Sequence, residues 1–113
     1  VSIDHTTRDL AGSVIPVSWD AALALQDLGV EFFLLITGEH SIDVQLESTL
    51  TNFIRHHKLR LYVARVSTSD QSDAASKLGV AYLPQVRLYR NGNEVGRHRG
   101  VATYELLEKL FTL

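Results

Sequence analysis

Phe32-Phe33-Leu34-Leu35-Ile36 is the longest unbroken run of large apolar residues in the chain, and it constrains the fold more than any other stretch. It is far shorter than the roughly 20 residues of a membrane-spanning helix. It also lacks the polar alternation of a strand with one wet face, so it reads as a strand covered on both faces and central in its sheet. With 113 residues in all, a single compact domain must supply both covering layers.

The flanking segments supply them. Val14, Ile15 and Val17 fit a short strand, with Pro16 tolerated only where a missing donor faces solvent, at a sheet edge. Ser18 can cap a helix over 19–28 whose apolar side takes in Trp19, Ala22, Leu23 and Leu28, with Gly29 as its stop. After the central strand, Leu46, Leu50, Phe53 and Ile54 recur at helical spacing and mark one buried side of a helix over 41–57. Residues 59–66 alternate as a strand, 70–78 read as a short helix closed by Gly79, and Asn91-Gly92 suits the left-handed turn of a hairpin between 85–90 and 93–99. Gly100 ends that hairpin, and Thr103 can cap a last helix with Leu106, Leu107, Leu110 and Phe111 on its apolar side. The order βαβαβαββα predicts an α/β three-layer sandwich, a mixed central sheet with helices on both faces. Residues 1–12 carry little periodicity and read as a flexible or loosely docked arm ahead of a domain over 13–113.

Composition removes several functions. Eleven Lys and Arg against thirteen Asp and Glu leave a net charge of −2, so no global positive field recruits nucleic acid or an anionic membrane. The chain has no cysteine, which excludes disulfides, thiolate metal sites and cysteine nucleophiles within it and leaves the compartment open. It has no methionine either, so we expect a polypeptide processed or cut from a longer product. His56 and His57 are adjacent and would point about 100° apart on a helix. No HxxxH spacing joins them, so we expect no metal site and no cofactor. The run Arg55-His56-His57-Lys58-Leu59-Arg60 instead places cations at the negative end of its helix.

The stretch 79–95 goes further. A glycine after a helix, the apolar-proline pair Leu83-Pro84 opening a strand, and an asparagine-glycine turn before the last strand together resemble the thioredoxin family. Gly100 and the terminal helix also look like that family's ending, and the resemblance covers 13–113. It implies the thioredoxin-like sandwich and a cis bond before Pro84. It also places the family's dithiol motif over His40-Ser41-Ile42-Asp43-Val44, with Ser41 at the attacking thiol and Val44 at the resolving one. Serine has no accessible disulfide state and valine no reactive atom, so thiol–disulfide exchange has no reagent here. The family's buried acid falls on Leu35, while its basic neighbour falls on Arg65 and is retained.

Leu83-Pro84 has two readings that can both hold: a loop-shaping proline, or backbone groups exposed for pairing with an extended partner segment. Ser41 reads as a helix cap rather than a nucleophile, because His40 has no evident acidic orienter. Asp43 complements the positive end of the same helix. Arg87, Arg90, Arg97, His98 and Arg99 gather on the hairpin as a basic face that suits solvent or an acidic protein better than nucleic acid, since only Tyr89 is near for stacking. We therefore expect a non-enzymatic, redox-inactive binding module of chaperone or scaffold type. Such a module resembles the non-catalytic domains of protein disulfide isomerases and accessory proteins of metalloenzyme maturation. His40, Ser41, Ile42, Leu83 and Pro84 would grip an extended peptide or partner protein. The alternative is a structural or regulatory assembly domain acting through the basic face formed by Arg87, Arg90, Arg97 and Arg99; a transferase using Ser41 is a distant third.

Overall fold

The computed structural model describes residues 12–38, 41–59, 61–71, 73–80, 82–100 and 102–112, leaving aside the side chains of 41–43 and 111–112. The expected arm over 1–12 lies outside these residues except for Gly12, whose amide donates to the Leu61 carbonyl at 2.9 Å.

The elements run β1 (Val14–Pro16), α1 (Trp19–Asp27), β2 (Phe32–Thr37), α2 (Ser41–His56), β3 (Val63–Ser67), α3 (Ala74–Lys77), β4 (Gln85–Arg90), β5 (Asn93–Arg99) and α4 (Tyr104–Thr112). They form one five-stranded sheet in the order β1-β3-β2-β4-β5. β2 pairs parallel with β3 and antiparallel with β4, and the short, proline-ended β1 lies on an edge.

β2 sits in the middle because its residues demand cover on both sides, and all six are buried. Phe33 and Leu35 face one core with Leu46, Leu50, Phe53 and Ile54 of α2 and Leu107 and Leu110 of α4. Phe32, Leu34 and Ile36 face the other with Ala22, Ala74 and Leu78 beside α1 and α3. Full burial of each such side chain stabilises by about 1.5–3 kcal/mol, so the two cores fix the sheet between its helices. No helix among the described residues is long and apolar enough to cross a membrane.

Local chemistry sets the ends. The Ser18 hydroxyl accepts from the Ala21 amide at 3.3 Å and starts α1. Asn91 and Gly92 both take positive φ, 55° and 82°, the pair of left-handed residues that a two-residue hairpin turn requires.

Several expectations shift. Leu28 is 77% exposed, because nine residues at 100° each put it opposite Trp19 on the helix; Leu25 packs against the core instead. Leu106 is exposed, about 100° round from the buried Leu107. The strand expected from 59 begins at Val63, because Lys58 turns to φ 53° and the Leu59 amide still donates to Ile54 at the end of α2. The helix expected over 70–78 shrinks to one turn. Gln71 is diverted, its side chain donating to the Val17 carbonyl at 3.0 Å and accepting from the Trp19 amide at 2.8 Å.

Candidate functional site

Ile36 near the end of β2 pairs with Gln85 at the start of β4. The connection into α2 and the loop into β4 therefore leave the sheet side by side. The first carries the candidates His40, Ser41 and Ile42, the second Leu83 and Pro84. His40 lies outside the described residues. For Ser41 and Ile42 the backbone alone is described, and α2 starts at Ser41 itself, one residue later than a capping serine would stand. Val44, one turn on, is 64% exposed.

The second loop is better defined. The Leu83–Pro84 bond is cis. Pro84 is buried, and its carbonyl accepts from the Gly100 amide at 2.7 Å. Leu83 and Tyr82 stand out from the surface at 37% and 61% exposure. Among the described residues, none hydrogen-bonds the Leu83 backbone.

Arg87 secures this loop from below. Its guanidinium donates to the Leu78 carbonyl at 2.6 Å, to Gln85 Oε1 at 2.6 Å and to the Tyr89 hydroxyl at 3.3 Å. Leu78 ends α3 ahead of the loop, and Gln85 opens β4 after it. Arg87 thereby satisfies a helix-end carbonyl that has no partner within its own helix.

This corrects the expected basic face. Arg87 is 4% exposed, and its Nε also lies 3.7 Å from Glu94. Arg90 stands 3.4 Å from Glu31, and Arg97 makes two bonds to Glu94, at 2.6 and 3.0 Å, which hold its guanidinium more firmly protonated than usual. The register shift between Leu88 and Tyr89 is the reason that Glu94 reaches Arg97. An extra residue in β5 brings Glu94 onto the face that Arg97 occupies. Of the four arginines expected there, Arg99 is the one for which no described carboxylate lies within ion-pair distance. It lies 5.6 Å over the Tyr82 ring. Tyr82 is not among the expected site residues; an aromatic immediately before the Leu83-Pro84 pair is the available signal.

The surroundings hold no thiol for disulfide exchange. Leu35, at the position of the resembled buried acid, is fully buried and apolar. Arg65 is engaged by Glu47 of α2 at 3.1 Å. Sulfur is absent from the chain, and the described residues hold no cluster of three His, Cys, Asp or Glu side chains suited to a metal. His57, at the far end of α2, instead contacts the Tyr104 hydroxyl at 2.9 Å and Glu108 at 3.7 Å, tying α2 to α4.

The family model described as Thioredoxin matches residues 44–112. Among solved structures, thioredoxin O2 from Arabidopsis thaliana is similar at 16% identity and a TM-score of 0.77, over 90% of this chain and 95% of that one. Thioredoxin from Trypanosoma brucei brucei is similar at 19% identity and a TM-score of 0.74, over 90% of each chain. A chain from the complex of ferredoxin:thioredoxin reductase with thioredoxin f2 is similar at 13% identity and a TM-score of 0.74, over 91% of this chain and 96% of that one. At these identities the likeness speaks for the fold.

Proposed function

This chain belongs to the thioredoxin family, and from that premise we propose that it is a redox-inactive binding module that holds an extended segment of a partner protein, in a chaperone or scaffold role. The contact is assigned to the region where the start of α2 and the loop before β4 leave the sheet side by side, with His40, Ser41 and Ile42 as candidates from the first segment and Leu83 and Pro84 from the second. The observation that carries this reading is Leu83. An apolar side chain exposed beside a buried proline, with backbone groups that no described residue engages, suits an extended chain adding its own main-chain hydrogen bonds. A chain without cysteine has no thiol–disulfide chemistry to perform there, so recognition is the task left to this region, the proposed groove. A thioredoxin of the same fold is named in a complex with its reductase, which fits a fold that engages proteins.

The test is a titration of the 15N-labelled chain with pooled, end-blocked octapeptides, following amide shifts. The reading expects Leu83, Gln85 and Val44 to move, and Pro84→Ala to weaken that response while its circular dichroism stays native. Shifts confined to another face would overturn it.

A further inference from the structure

Beside the groove lies a pair that the groove reading does not require. Tyr82 is the most exposed aromatic residue among the described large hydrophobics, and Arg99 lies over its ring at 5.6 Å. The two belong to one surface: Arg99 pairs with Gln85 in the β4–β5 ladder, and the next amide, of Gly100, donates to Pro84 at 2.7 Å. A guanidinium stacked on an aromatic ring has its rotamer restricted and its plane covered, yet its N–H donors remain free at the edge of that plane. Those donors match a carboxylate. Arg90 and Arg97 have spent theirs on Glu31 and Glu94, and Arg87 is buried. Arg99 is exposed, with no described carboxylate in reach.

We propose that Arg99, braced by Tyr82, reads an acidic side chain in the bound segment, so that the module selects extended partner segments bearing Asp or Glu next to the residue that pairs with Leu83. This rests on the groove reading and adds its specificity. The occupant is an internal stretch of a partner chain. The guanidinium of Arg99, which no described carboxylate reaches, argues for the acid, and the Leu83 backbone argues for the extended form.

Three end-blocked octapeptide pools, randomised except for a central Glu, Gln or Lys, separate the outcomes. The proposal expects the native chain to bind the Glu pool about fivefold more tightly than the Gln pool, the range of one partly exposed ion pair, with the preference falling as salt rises. It expects Arg99→Glu to favour the Lys pool, and Arg99→Lys to keep a weaker preference for Glu. Tyr82→Ala should reduce the Glu preference. Equal binding of all three pools, with Leu83 amide shifts intact, would overturn this inference and leave the groove standing. No binding of any pool would overturn both. A Glu preference that survives Arg99→Glu would also refute it.

Discussion

Arg87→Met is the substitution that asks most of the structural argument. The side chain is 4% exposed and donates to three acceptors: the Leu78 carbonyl, Gln85 Oε1 and the Tyr89 hydroxyl. Methionine of similar length fills the space and donates nothing. Gln85 is itself 1% exposed, so its oxygen has little water to turn to. Each buried acceptor stranded this way costs about 1–3 kcal/mol. The guanidinium's own desolvation, recovered when it is removed, offsets part of the loss. A net destabilisation of about 2–4 kcal/mol follows, a large share of the roughly 5–15 kcal/mol that holds a domain. Urea unfolding followed by far-ultraviolet circular dichroism reads it as a midpoint about 1–2 M lower at a slope of about 2 kcal/mol/M. Arg87→Lys should fall between, since one ammonium cannot reproduce a planar fork reaching separate acceptors. A methionine variant whose midpoint matches the native protein would refute the reasoning: the buried cation would then cost as much to bury as its bonds return.

Two further substitutions test the layers on either side. A Cβ at Gly96 would overlap Leu110 Cδ1 and come within 3.0 Å of Leu110 Cγ, so Gly96→Ala should destabilise by about 1–3 kcal/mol, and less when combined with Leu110→Ala, as a double-mutant cycle in urea will read. Hydrogen bonding from Ser18 holds the Asp20 carboxyl below its ordinary 3.8. Its contribution is therefore complete above the unfolded value and disappears as pH falls through the lower folded one. Asp20→Asn should remove that part of the acid sensitivity, so the stability gap between native and variant closes as pH drops below about 4 in unfolding curves taken across the acid range.

Long patterns were legible in the sequence and short ones less so. The β2 run and the Leu46, Leu50, Phe53 and Ile54 stripe carry their burial in their own spacing, and both lie in the cores. Asn91-Gly92 carries its turn in its backbone preference. Arg87 was misread because alternation assigns a residue to a face but does not say what covers it. That face is closed by the end of α3, whose Leu78 carbonyl needs a donor. The neutralisation of Arg97 was hidden for a related reason. Simple alternation sets Glu94 and Arg97 on opposite faces, and the register shift that joins them appears only when β4 and β5 are paired. Tyr82 gave no periodic signal at all, being on a loop.

These two misreadings bear on the site more than the correct readings do. Had the hairpin arginines been a solvated basic face, charge would have been spread along β5 and any acidic surface would have served as a partner. Instead Glu31 and Glu94 engage their cations locally, and Arg99, which no described carboxylate reaches, stands at the end of β5 nearest Pro84. Arg87 lies inward under the end of α3, where it links Leu78 before the loop to Gln85 after it. A loop held at both ends loses less freedom when a segment docks, and a smaller ordering cost leaves more of each new contact as affinity. The setting of each arginine follows from what the fold lays against it: the register of β5 on β4 brings Glu94 to Arg97, the end of α3 closes over Arg87, and Glu31 ahead of β2 engages Arg90.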